Sequence, residues 1–460
     1  MKRNLPILLF SLTIFMSCNK LKDNIPGTEE FPVVELTKEE FVSIAFDNPK
    51  TLTDTEISEL VKGFLSHRSN NIAVKSSPKI SIDREAWKSM QGTNPRTKEK
   101  GKDVPPIFKV ELETEKKRNV LWVSADERFA TVTAHYEVPD DAKLSDINDG
   151  SLALLEATEE LIVNEIEKIE IIKDSLRTAT LEKLAVTWGV NSKELEFEKI
   201  KERIKINGLP QVKAPIIRDP YTLGTPVQSH GPFLFTRWSK GMPYNRLMAQ
   251  VCPSNWLWDN RYAISSVVVA TSQVLAFLQP SMTLSGTTMN WEYLTENQEI
   301  HEESDYFGGY VQDPLARRNM VATLMRDVGS LCGVSYTCTG ASVNFNNVRS
   351  FLTSRGIAIG TNVGMNIPVI KSSVENIKPV IMYGQTSSGG GHWWVVDGTY
   401  VTTGSSSYIP GYNVYIHANM SEGAYYSGYY LVGTSATLTF ETGFATFSKN
   451  FQAYPNIDLL

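Results

Sequence analysis

Apolar residues recur at helical spacing in the first part of this chain. Ile57, Leu60, Val61 and Phe64 line one face of a helix predicted over residues 54–65. Upstream, Thr37 with Glu40 three residues on forms a capping box that opens another amphipathic helix. A helical pattern returns over residues 151–184, with acids and lysines on what must be a solvated face. Residues 119–136 read instead as two strands joined by a tight polar turn. Residues 75–106 mix Lys75, Lys79 and Lys88 with Pro78, Pro95, Pro105 and Pro106, so a loop or disordered connector is expected there. Residues 206–220, with three prolines, read as a linker. Residues 265–277 are small and apolar and open on Ser265 and Ser266, the pattern of a buried helix with a serine N-cap. Residues 389–398 put His392 behind three glycines, at the mouth of a short apolar strand that ends at Asp397-Gly398.

Charge density divides the chain. Residues 1–205 carry 31 Lys/Arg and 36 Asp/Glu, whereas the longer remainder carries only 14 and 15. At 460 residues the chain exceeds one ordinary core, so two domains are expected either side of the linker. A net charge of −6 supplies no basic field for a phosphate backbone, which argues against nucleic acid as partner. The start of the chain is basic to residue 4, mostly apolar over residues 5–16, and reaches Ser17-Cys18. This resembles a bacterial lipoprotein signal, which implies removal of the segment before Cys18 and lipidation of that cysteine; a plain secretory peptide is the alternative. Either way the protein leaves the cytoplasm, held to a membrane through the lipid or secreted free. No later segment has the ~18 apolar residues of a spanning helix.

Chemistry concentrates in the second part. A histidine at the start of a buried strand is fixed by packing yet open on one side, as general acid/base work requires; a structural role is the alternative. Ser266 would sit at the positive end of its helix, where a developing anion is stabilised, or would simply cap it. Beyond Cys18, Cys252, Cys332 and Cys338 are too few for a disulfide framework. Cys332 and Cys338 could pair across a short loop or remain buried thiols. Cys252 precedes a proline, a position biased toward extended loop, and reads as structural, with a rearranged nucleophile as the lesser alternative. The scattered histidines show no zinc spacing, and no metal or other cofactor is expected.

Trp238-Ser239-Lys240-Gly241-Met242-Pro243-Tyr244-Asn245, the helix with Val267, Ala270 and Gln273, Asn290-Trp291, the stretch 324–329, Val334-Ser335-Tyr336, Gly340-Ala341 and the His392 motif occur in the order found in one family. The chain resembles the streptopain family of papain-fold cysteine peptidases over most of residues 225–460, and residues 37 onward and 122–134 resemble that family's inhibitory propeptide. The resemblance implies an α+β fold: a papain-like peptidase domain over residues 206–460, a smaller α+β propeptide-like domain with linker over 19–205, and a signal peptide over 1–18. It assigns the nucleophile position to Ser266, where the family has Cys, the oxyanion position to Lys240, where the family has Gln, and orientation of the His392 ring to Asn419. Met420-Ser421-Glu422-Gly423 replaces the family's Trp-Gly-Trp-Gly. A hydroxyl cannot form the thiolate–imidazolium pair near neutral pH. Two functions therefore stand open. One is a weak or inactive pseudopeptidase that binds peptide or protein in its cleft, against its own N-terminal domain. The other is an active zymogen peptidase that uses Ser266 or Cys252 with His392.

Overall fold

The computed structural model describes residues 31–68, 79–91, 105–113, 118–138, 143, 147–207, 225–252, 259–304, 311–404, 411–435 and 450–460. Its organising element is an antiparallel sheet of ten strands. Nine follow one another in the order Phe451–Tyr454, Val380–Gln385, Gly391–Thr403, Tyr412–Asn419, Gly428–Ser435, Thr131–Val138, Arg118–Ser124, Ile107–Glu113 and Lys79–Asp83, and Pro226–His230 pairs with the second half of Gly391–Thr403. Helices Ser266–Leu278, Leu315–Leu331 and Phe345–Ser354 gather on one face of its C-terminal strands. The molecule is α+β, as expected.

Strand alternation sorts side chains into two cores. Trp394 and Val396 face a first core, while Val395 between them faces a second, built round helix Ser266–Leu278. Because both faces are covered, these strands read as continuous apolar runs. The first core unites residues from both parts of the chain: Ile57, Phe64 and Trp122 pack with Trp394, Tyr415 and Tyr430. Phe64 alone meets the rings of His135, Tyr400 and Tyr415. This corrects the expectation of separate domain cores split near residue 205. Strand Thr131–Val138 joins strand Gly428–Ser435 through Ala134, His135 and Tyr136, and the sheet runs on across the expected boundary. The expected linker falls almost wholly outside the described residues, as does Cys18 with its signal segment.

One long helix, Asp149–Trp188, ties the N-terminal part together. Asn148 caps it by accepting from the Ser151 N–H at 2.8 Å, and Gly189, at φ +69°, ends it in the left-handed conformation glycine adopts freely. At 40 residues it reaches about 60 Å. Its first turns enter the first core through Leu154, Leu155, Leu161 and Ile162, and Thr158 donates to the Leu431 carbonyl at 2.8 Å. Its far end, with Leu184 and Trp188, makes a third core with helix Lys38–Ala45, which opens on the expected Thr37–Glu40 capping box. Of residues 75–106, the described stretch 79–91 differs from the loop expected there. Lys79–Asp83 is a short edge strand, and Ala86–Gln91 is a helix that buries Trp87 edge-on against Trp122 at 5.5 Å. Two short elements, with lysines on exposed faces, leave no period for a pattern to report.

Candidate active site

Helix Ser266–Leu278 has a valine-rich start that would favour a strand in isolation. It is helical because it is buried on all sides, from Val267 through Ala276. Ser265 is the extended N-cap and Ser266 the first helical residue. Strand Gly391–Thr403 runs alongside, and the Trp393 N–H donates to Ser266 Oγ at 3.1 Å. The structure thus places Ser266 at a helix N-terminus against the backbone next to His392.

One nitrogen of the His392 ring is engaged by the backbone. Its Nε2 lies 2.7 Å from the Met420 carbonyl oxygen, which can only accept, so Nε2 carries the hydrogen and Nδ1 the lone pair. The ring is 4 % exposed. Burial, and then the positive charge of Lys240, push its pKa down to about 3 against the opposing hydrogen bond to Met420, so it is neutral at any physiological pH. Asn419 does not orient this ring, contrary to expectation. Its Nδ2 donates to the Thr236 carbonyl at 2.9 Å and its Oδ1 accepts from Gln273 Nε2 at 3.1 Å. The amide therefore fastens the Trp238 segment to the helix, and the next residue's carbonyl holds the histidine. Lys240, expected to face an oxyanion, is ion-paired with Glu422 in the segment that replaces the family's aromatic turn. Burial raises the Glu422 carboxyl pKa, and Lys240 opposes the shift.

The long helix ends against this site. A Cβ added at Gly150 would meet His392 Cδ2 at 2.9 Å and Met420 Sδ at 3.0 Å, so only glycine lets the helix approach so closely. Asp149 lies against Gly390, within 2.5 Å of where a Cβ would stand. Farther along the helix, Glu156 accepts from the Ser387 N–H at 2.9 Å and hydroxyl at 2.6 Å, pinning the loop before His392. Neither Gly150 nor Glu156 stood out in the sequence, because an acidic helix end looks like a solvated one.

Cys252 is disulfide-bonded to Cys338, 86 residues on. This removes it as an alternative nucleophile and corrects the Cys332–Cys338 pairing considered above. Hairpin Ser335–Thr337 with Gly340–Ser342 carries Cys338 outward to the Cys252 loop, while Cys332 lies buried in the second core, its thiol pushed up to about 12 by desolvation. One more pair went unnoticed in the sequence: Asp397, fully buried, meets Nδ1 of the half-buried His417 at 2.6 Å. Asp397 also accepts from the Leu234 N–H at 3.1 Å. The aspartate of the histidine motif thus serves a different histidine.

The Peptidase C10 family model, the streptopain family, matches the chain from Trp238 to Tyr430. Residues 238–430 belong to the peptidase C10 family. The C10 region contains Lys240, Ser266, His392 and Asn419, and with it goes a peptidase-like function. Strand Thr131–Val138 and the long helix lie outside the matched residues, yet they complete the C10 sheet and close on its site. No curated protein matches the chain significantly. Among the described residues, no cluster of His, Cys, Asp and Glu is placed to hold a metal ion, and no helix is long and apolar enough to cross a membrane.

Proposed function

We propose that the protein is an exported, Cys18-lipidated member of the peptidase C10 group that binds polypeptide in its cleft and cleaves it weakly or not at all, with Ser266 at the nucleophile position. The observation that carries this reading is the state of His392. A general base works best with a pKa near the operating pH, whereas this ring is held near 3 beneath the long helix. Serine needs such a base more than cysteine does, because its hydroxyl stays protonated near neutral pH. Lys240 is engaged by Glu422, and its flexible charge is a poor substitute for a fixed neutral donor. One observation favours a residual activity: the first cause of the ring's weak basicity is burial, and Gly150 covers it. Withdrawal of the helix end would return water to the ring and make Ser266 and His392 a slow acyl-transfer pair. The test is degradation of denatured casein by the full chain and by Ser266→Ala. We expect little cleavage, and what there is lost with Ser266; vigorous cleavage that survives Ser266→Ala overturns the assignment.

A further inference from the structure

A cavity of about 650 Å³ opens at the seam where the N-terminal strands meet the C10 sheet. Asn419 of the site described above reaches its wall, but Ser266, His392 and Lys240 do not line it. Its wall is built. Asp397, with 1 % of its side chain exposed, accepts the Nδ1 hydrogen of His417 at 2.6 Å and so fixes the orientation of a ring that lines the cavity. The ring is steadied edge-on by Tyr429 at 5.0 Å. Arg237 and Glu137, residues of opposite charge, line the same wall. Phe235, 48 % exposed, adds an aromatic face.

A wall that mixes donors and acceptors, holds residues of opposite charge and carries aromatic faces matches one chemistry well. Hydroxyls both donate and accept, and the C–H face of a pyranose ring stacks on an aromatic one. We propose that this seam cavity binds a short saccharide of one to three sugar units, a role independent of hydrolysis at Ser266. Glu137 comes from the N-terminal part and His417 from the C10 region, so the site exists only in the joined molecule.

The test uses the full chain in calorimetric titrations with maltotriose, cellotriose and N,N′-diacetylchitobiose, and with the tripeptide Gly-Leu-Phe as a charged peptide probe. We expect at least one saccharide to bind in the millimolar range or tighter, with binding unchanged in Ser266→Ala and weakened about tenfold in Phe235→Ala. Phe235 is exposed enough that its loss should spare the fold, and Arg237→Gln gives a second variant for the polar wall. Failure of all three saccharides, binding indifferent to both Phe235→Ala and Arg237→Gln, or binding of the tripeptide alone overturns the proposal.

Discussion

His392 and Ser266 share one short stretch of backbone but not, in this state, one proton. The ring's Nε2 hydrogen goes to Met420 and the Ser266 oxygen receives the Trp393 N–H. Ser266→Cys should introduce a group of pKa ~8.5 that a base can ionise. Lys240→Gln alone would leave the half-buried Glu422 carboxylate without its lysine, so Glu422→Gln should accompany it. The triple variant is expected to cleave casein about a hundredfold faster than Ser266→Cys, as recovery of one oxyanion donor would give; equal rates would show that Lys240 does not occupy that position. His392 also sets a pH dependence. Its folded pKa of about 3 lies below the ordinary 6.5, so the unfolded chain binds the extra proton between those values. The stability due to the neutral ring is complete above 6.5 and is lost as pH falls toward 3. Between pH 7 and 5 the wild type should lose on the order of 2 kcal/mol more than His392→Gln in urea melts. Parallel losses in the two proteins would contradict the burial of the ring. At this scale the sequence was informative about which residues gather and poor on their partners. Ser266 and His392 stood out by motif, but the bonds of Asn419 and Asp397 depend on which neighbour each side chain meets after folding.

Elements were legible where a period ran long enough. The Thr37 cap follows from the Thr37–Glu40 pair, and the helix over 54–68, the hairpin from Arg118 and the long helix follow from the spacing of apolar residues. What spacing could not show is where an element ends in space. The first turn of helix Asp149–Trp188 reads as an ordinary acidic N-terminus, yet it covers the histidine. Gly150→Ala puts a Cβ into the His392 ring, and the helix end must back away. In a Ser266→Cys background, this change should speed labelling of the new thiol by a thiol-directed peptidyl inhibitor about tenfold, read by mass spectrometry. Unaltered labelling would mean that this end of the helix does not control access. Glu156→Gln should act in the same direction more weakly, since it loosens only the loop at Ser387.

Across the whole molecule, the charge break near residue 205 marks a change of surface rather than of core. Ser151 and Tyr430, hydrogen-bonded at 2.7 Å, stand 279 positions apart, a contact that no local pattern can announce. A protease site engineered between residues 207 and 225 should therefore give two chains that still co-migrate in size exclusion; separation into free fragments would refute the shared core. The junction of Thr131–Val138 with Gly428–Ser435 spans only three residue pairs. Strip residues 1–207 away and Gly428–Ser435 becomes an open edge, its N–H and C=O groups ready for any strand that fits. Such a remnant should self-associate with rising concentration, and the separately made N-terminal fragment should suppress this in trans. In intact molecules the same edge invites exchange: one copy's Thr131–Val138 can add to another's Gly428–Ser435, giving swapped dimers at high concentration.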